Sequence, residues 1–561
     1  MVGTQLKILM AASEAAPFVK EGGLADVTGA LSAALSLMGH DVRLVLPLYY
    51  QIDPKKYNLT PRKETLSVPM GVIGTLEATI MEGKLPGTEV TVYFIENEYF
   101  FGRPGGLYST VDGEGYMDND NRFTFFSRAV IELCRSLKFK PDCIHVNDWH
   151  TAAVPILLNT VYKDDPIAGH SATLLTIHNM QHQGEFYEGL MDVLDIGWEH
   201  FNYLGLERDG KTNLLKGGIY HSTLINTVSE SYVREIQTPE FGTNLEGVLM
   251  DRAENLYGII NGVDYENWNP ETDKLIAKTY SKDDLAGKAL CKADLQRTFG
   301  LPERADVPVI GLVTRLVKQK GIDILAEAIS SILELDIQVV LLGAGEVWAH
   351  FFFGDMPNHY KGKFGCYIGY DNTLAHKIEA GSDFFLMPSR FEPCGLNQMY
   401  SMRYGTIPIV RAVGGLNDTI ENLDEAGGGI GTGLKFYDLT ADALRNTVEW
   451  AVYTYYNRKD LMEGLIQRAM SKRFTWDAAA KQYEKLYIKA IEKKTGSRLQ
   501  MDGGMKTEKA EQMRIKYKYR MMIMKGKVWI HYDGAARLIG PDCAFHLYSN
   551  IKTDSRDTRN D

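Results

Sequence analysis

Cysteine is scarce and scattered. The 561 residues hold six, at positions 134, 143, 291, 366, 394 and 543, with no C-x-x-C pair. That spacing offers neither a disulfide framework nor a zinc site and points to a reducing compartment, so we expect a cytoplasmic protein. No run of about 18 apolar residues occurs, so no transmembrane helix and no membrane partner are expected. The N-terminus lacks a basic segment, an apolar core and a cleavage site. Its "KILMAA" (7–12) leads into a polar loop and reads as a strand, not a signal peptide. Positive charge is also in deficit. The formal net charge is −11, which argues against a nucleic-acid partner. Any polyanion bound here is a small one, held by a few local cations. There is no G-x-G-x-x-G for a nicotinamide cofactor, and no H-E-x-x-H or H-x-x-x-H on a predicted helix for a metal.

What the chain does have is alternation. Continuous apolar runs at 7–13, 42–49, 90–96, 143–146, 172–178 and 224–229 are interleaved with helical patterns. A second series runs through 307–315, 337–345, 364–370, 383–389 and 406–413. Unbroken apolar strands between helices predict parallel sheets covered on both faces. The stretch "NGVDYENWNPETD" (261–273) separates the two series and reads as a connection. The predicted fold is α/β, with two doubly wound, Rossmann-like domains facing a cleft. Residues 1–262 form the first and 263–475 the second, and a helix over 476–494 returns to the first. Ligands in such sheets bind at the carboxyl ends of strands. The alternation stops beyond it. Residues 505–527 carry eight Lys or Arg against Glu508 and Glu511, and no periodicity follows. Residues 495–561 read as a basic, poorly ordered appendage, with a partner- or membrane-surface helix as the other reading.

Six strand ends carry chemistry. "KEGGLADV" (20–27) turns from strand to helix through two glycines, where backbone N–H groups and Lys20 would suit a phosphate. The same glycines would also suit a tight turn that merely packs. "TRLVKQKG" (314–321) puts Arg315 and Lys320 at a strand's carboxyl end, as a fork and a point charge for a diphosphate or as two solvated cations. "SRFEPCGL" (389–396) places Glu392 before a helix start, where it would accept bonds from sugar hydroxyls or simply complement the helix dipole. Cys394 reads as a small residue at a crowded turn, not a nucleophile. "VGGLNDTI" (413–420) repeats the double-glycine theme and is expected to offer backbone donors. "HVNDWHTA" (145–152) and "TIHNMQHQG" (176–184) end two further strands with Asp148, His150, His178 and Asn179.

Together with "INGVD" (260–264), these motifs resemble, in order and spacing, those of bacterial glycogen synthases and plant starch synthases. The resemblance spans roughly residues 5–494. It implies glycosyltransferase fold B and glucose transfer from ADP-glucose to the non-reducing end of an α-1,4-glucan such as glycogen. Configuration is retained and ADP is released, with no cofactor or metal. Lys20 and Gly23 match the family's diphosphate contacts, and Asp26 matches the aspartate beside the nucleotide ribose. Arg315 and Lys320 match the pair that neutralises the leaving group, and Glu392 matches the donor-sugar glutamate. Cys394, Gly395 and Leu396 match an amide nest, and Asp148, His178, Asn179 and Asn261 line the glucose site. Tyr370 falls where a tyrosine meets adenine. The wider retaining-transferase pattern has a second glutamate eight residues after the first. Here that position is Tyr400, as is usual in the synthase branch. His178 would act through its backbone carbonyl. The rival readings are a UDP-glucose-dependent transferase of the same fold and an inactive glucan-binding scaffold. Oligomeric state is not legible.

Overall fold

The computed structural model describes residues 5–424 and 430–497, and the backbone of three strands further on. All eleven predicted strands are present. In the first sheet Lys7–Ala11 lies centrally, flanked in parallel by Asp41–Pro47 and Cys143–Asn147. Outward from Cys143–Asn147 come Ala172–Ile177, Leu224–Thr227 and Leu256–Gly258, all parallel. On the other side Thr91–Glu96 is parallel, while Thr75–Lys84 and Thr60–Pro69 form an antiparallel edge. The second sheet is wholly parallel, in the order Phe364–Ile368, Gln338–Gly343, Val309–Val313, Phe384–Met387, Ile407–Arg411, Leu434–Phe436. Winding reverses at Lys7–Ala11 in one sheet and at Val309–Val313 in the other. Crevices open at such points, beyond the carboxyl ends of the strands.

The helices form for the reasons the pattern gave. Gly23–Leu37 buries Leu24, Val27, Leu31 and Leu35 on one face. Trp476–Thr495, capped by the Thr475 side chain, buries Ala479, Ala480, Tyr483, Leu486, Tyr487, Ala490 and Ile491. Its Tyr487 hydroxyl meets His145 Nδ1 at 2.8 Å and Tyr483 accepts from Asn226 at 3.1 Å. The last helix therefore does return to the first sheet. The chain crosses between the sheets twice, and the crossings lie side by side. Val263 N–H donates to the Phe474 carbonyl at 2.7 Å. A Cβ on Gly262 would lie 2.6 Å from the Trp476 ring and backbone nitrogen.

Residues 6–498 form one compact unit, and the three strands beyond it belong to another. In the latter, Arg520–Met524, Lys527–Tyr532 and Ala535–Ile539 pair as an antiparallel meander, although the sequence there shows no clear period. The remainder of the expectation for 495–561 lies outside the described residues, apart from Thr495, Gly496 and Ser497. Among the described residues no helix is long and apolar enough to cross a membrane.

Candidate active site

The carboxyl end of Lys7–Ala11 leads through Ser13 and Glu14 into the glycine turn. Lys20 Nζ donates to Asp26, 2.8 Å from Oδ1 and 2.7 Å from Oδ2. Neither glycine is demanded by the fold. Gly22 has an extended backbone (φ −141°, ψ −168°), and a Cβ there would come no closer than 3.8 Å to Glu14. A Cβ on Gly23 would meet nothing within 4 Å. Packing within the chain thus requires neither glycine, which weakens the reading as a packing turn.

Two neighbouring strand ends hold Asp148 and His178. Asp148 sits in the left-handed region (φ 53°) and its Oδ1 accepts the His178 N–H at 2.7 Å. Burial pushes the Asp148 carboxyl up to about 7, against the pull of the His178 and Asn179 backbone N–H groups. Burial also holds the His178 imidazole neutral, down to about 3. Its Nε2 pairs with Asn147 Oδ1 at 3.0 Å. The Asn179 side chain accepts from Gln181 N–H at 3.0 Å. His150 lies between Tyr108 (4.6 Å) and Trp149 (4.1 Å). Trp149, His182, Gln183, Arg208 and Thr243 contribute to the wall of an open cavity of about 510 Å³.

In the second sheet the two strands at the reversal, Val309–Val313 and Phe384–Met387, bring Arg315, Lys320 and Glu392 to one crevice. Lys320 Nζ donates to Glu392 Oε2 at 2.6 Å, and Ser389 Oγ donates to the same oxygen at 3.1 Å. Arg315 is exposed and reaches Gln319 Oε1 at 3.1 Å. These three residues, Ser389, Gly395 and Leu396 help enclose a cavity of about 180 Å³. Gly395 is left-handed (φ 71°). Among the described residues the backbone N–H groups of Cys394, Gly395 and Leu396 donate to no partner. Burial pushes the Cys394 thiol up to about 12, opposed by a bond from the Asn261 backbone. Cys394 is thus a packed thiol and no nucleophile. The buried Asn261 Oδ1 has no hydrogen-bond partner among the described residues.

The two flanks meet. The Ser229 hydroxyl donates to the Pro393 carbonyl at 2.6 Å, and Ser231 N–H to Asp418 Oδ2 at 2.7 Å. Burial lowers the pKa of His182, and Arg315 adds to the effect from across the cleft; burial raises that of Tyr400, with a smaller push from Asp26. Tyr400 stands in a stack, its ring 4.2 Å from Trp268, which lies 3.9 Å from His376 on its other face.

Two expectations fare differently. The 413–420 turn does not offer its first donors to a ligand. Gly414 N–H goes to Glu235 Oε1 at 2.8 Å and Gly415 N–H to the Glu392 carbonyl at 3.0 Å. There the glycines serve close packing, since a Cβ would strike the Glu392 and Cys394 carbonyls. Tyr370 is 75% exposed and lines neither cavity. Sequence reasoning missed Glu14 and Tyr108, which belong to no motif, and Ser389, which opens the 389–396 motif but was not singled out there. Among the described residues no group of three or more His, Cys, Asp or Glu is placed to hold a metal.

Comparison with known proteins gives a consistent result. The family model "Starch synthase catalytic domain" matches residues 7–251, and "Glycosyl transferases group 1" matches 297–466. Glycogen synthase 1 of Geobacter sulfurreducens is 62% identical over 493 residues, covering 88% of this chain and 98% of the relative. Glycogen synthase of Moorella thermoacetica is 44% identical over 491 residues, covering 87% and 98%. Among solved structures, the catalytic domain of starch synthase IV from Arabidopsis thaliana, bound to ADP and acarbose, superposes with a TM-score of 0.79 at 32% identity. It covers 87% of this chain and all of that one. A sucrose-phosphate synthase from Thermosynechococcus elongatus shares the fold, with a TM-score of 0.52 at 17% identity, covering 88% of this chain and all of that one.

Proposed function

The chain belongs to the glycogen synthase and starch synthase family of glycosyltransferases, and from that premise we propose that its donor is ADP-glucose, transferred with retention to the non-reducing end of an α-1,4-glucan. The observation that carries the proposal is the convergence of Arg315, Lys320 and Glu392 at the reversal point of the second sheet, with Lys320 and Glu392 in direct contact. Breaking the C1–O bond to a diphosphate puts negative charge on the leaving oxygen and positive charge on the sugar ring. Arg315, Lys320 and Lys20 would meet the first charge as fixed, preorganised cations, the kind of arrangement that supplies the largest share of rate acceleration. With three such cations the reading requires no metal and no cofactor. Glu392, Asp148, Asn179, Asn261 and the free amides of 394–396 would hold the glucose hydroxyls. Asp26 would take the ribose side and Tyr370 the adenine.

Retention in glycosidases uses a carboxylate nucleophile about 5 Å from an acid. Asp148 is a poor candidate for that role. It is buried, engaged by backbone N–H groups, and its proton is held up to about 7. Same-face attack fits better, with the departing phosphate as base and the His178 carbonyl facing the oxocarbenium-like ring. The neutral His178 imidazole adds no opposing charge there. The 510 Å³ cavity, walled by Trp149 and His182, would receive the acceptor glucan. Residues 1–262 and 263–475 would close on the donor about the paired crossings, keeping out water that would hydrolyse it.

The test is nucleotide release from ADP-glucose and, separately, UDP-glucose, with and without glycogen, in the presence of EDTA. Glycogen-dependent ADP release in EDTA is expected. A preference for UDP-glucose would overturn the donor assignment and leave the fold and cation roles standing. Glycogen binding without release from either donor would make the chain a scaffold.

A further inference from the structure

Glu14 belongs to no motif and is almost completely buried. Its carboxylate lies beneath the turn that carries Lys20. Oε2 accepts two consecutive backbone N–H groups, those of Glu21 and of Gly22, the latter at 3.0 Å. Oε1 accepts from the Tyr108 hydroxyl at 3.2 Å, and that hydroxyl also meets Ser13 Oγ at 2.8 Å. Tyr108 in turn stacks on His150, whose ring lies tilted against Trp149, 4.1 Å away, at the wall of the larger cavity. A carboxylate accepting several donors at once makes strong, charge-assisted bonds. This one draws the amides of Glu21 and Gly22 inward. What remains for a ligand at this turn is the Lys20 ammonium and the backbone of Gly23, whose Cβ side is open.

We propose that Glu14, held by Tyr108, is a positioning residue for the donor. It fixes the glycine turn so that Lys20 and the Gly23 N–H meet the diphosphate, and it ties that turn to the wall of the acceptor cavity. The role rests on the reading that the turn contacts a nucleoside diphosphate. A loose turn would still fold and still present Lys20, but ordering it would be charged against donor binding. The effect therefore belongs in donor affinity. A role confined to stability would lower the melting temperature and the active fraction and leave the donor KM alone.

The experiment compares wild type, Glu14→Gln and Tyr108→Phe by calorimetric titration with ADP, by KM and kcat for ADP-glucose at saturating glycogen, by KM for glycogen, and by melting temperature. Glu14→Gln keeps the shape but accepts the two amides without charge. It is expected to weaken ADP binding and raise the donor KM about 10-fold, the effect of losing one charge-assisted bond. The glycogen KM should stay within about 2-fold. Tyr108→Phe removes the outer anchor only and should show the same pattern at about 3-fold. Unchanged ADP affinity and donor KM in a folded Glu14→Gln would overturn the positioning role. If Glu14→Gln does not fold, unchanged values in Tyr108→Phe would overturn it equally. A wild type that binds neither ADP nor ADP-glucose would overturn the donor reading itself, a result distinct from a variant that binds as well as wild type.

Discussion

At the scale of single residues, cation, carboxylate and bare backbone can be separated by substitution. Lys320→Ala should lower kcat with ADP-glucose by at least about 100-fold while the glycogen KM changes little, since on the proposed reading the ammonium would meet the extra charge that develops on the leaving oxygen in the transition state. A variant whose only change was a raised glycogen KM would contradict that role. Gly23→Ala separates fold from function more sharply. The added methyl enters open space at the first position of a helix, so the melting temperature should be unchanged or slightly raised. The donor KM should rise by about 10-fold if the turn meets a phosphate at close range. A fall in melting temperature with donor kinetics intact would return the glycine to a packing role. Residue by residue, the sequence was readable where chemistry sat at the end of an apolar run. Lys20, Asp148, Arg315 and Glu392 each follow one. Glu14 also follows a strand, but as a lone acid whose partner Tyr108 is 94 positions away, and no spacing announces such a pair. The 413–420 turn was misread for the opposite reason. Two adjacent glycines look alike whether they admit a ligand or a neighbouring backbone, and only the Glu392 and Cys394 carbonyls beside them distinguish the cases.

At the scale of elements, all eleven strands foreseen are continuous apolar runs, because a strand covered on both faces has no polar side to show. The hairpin Thr60–Pro69 and Thr75–Lys84 escaped because its strands alternate buried with exposed residues and carry Glu, Lys and Thr outward. Leu256–Gly258 and Leu434–Phe436, three residues each, are too short for any period. The docking of Trp476–Thr495 gives a prediction with a definite sign. His145, wholly buried against Tyr487 and Thr176, has its pKa lowered to about 3 by burial. In the unfolded chain it titrates near 6.5. The folded protein therefore refuses a proton that the unfolded chain accepts. This contribution is whole above pH 6.5 and is lost as pH falls toward 3. Between pH 7.5 and 5.0, denaturant unfolding should show wild type losing about 2 kcal/mol more than His145→Gln. Equal losses would remove His145 from the acid response. At the crossings, Gly262→Ala should cost about 1–3 kcal/mol by overpacking against Trp476, seen as a lower melting temperature.

At the scale of the whole catalytic unit, residues 6–498, the two sheets are joined by a short seam and two adjacent crossings. The seam is polar in part: Ser229 with the Pro393 carbonyl, Ser231 with Asp418, Glu235 with Gly414 N–H, beside a small apolar contact where Val228 and Phe241 join the core of the second half. Polar seams of this kind permit relative motion more readily than broad apolar ones. X-ray scattering should show a smaller radius of gyration with saturating ADP than without it. Ser231→Ala, which removes two side-chain bonds of the seam, to Asp418 and from Asn417, should shift the ADP-free radius and leave the saturated one alone. Identical profiles in all four states would count against closure.

One feature of the site reaches beyond catalysis. Lys20 lies against Asp26, and Lys320 against Glu392. Each cation thus carries an internal rival for whatever anion approaches it. A simple inorganic anion must displace a tethered carboxylate and brings no hydroxyls to re-employ it, so it should inhibit poorly. On the proposed reading, a sugar nucleotide would engage the cation with its phosphates and the carboxylate with its hydroxyls, and so satisfy both members of each pair. On that reading, once transfer has removed the glucose, ADP would no longer occupy Glu392, and that carboxylate would be free to reclaim Lys320. Product release would then be driven in part from within, and turnover protected against the accumulation of its own by-product.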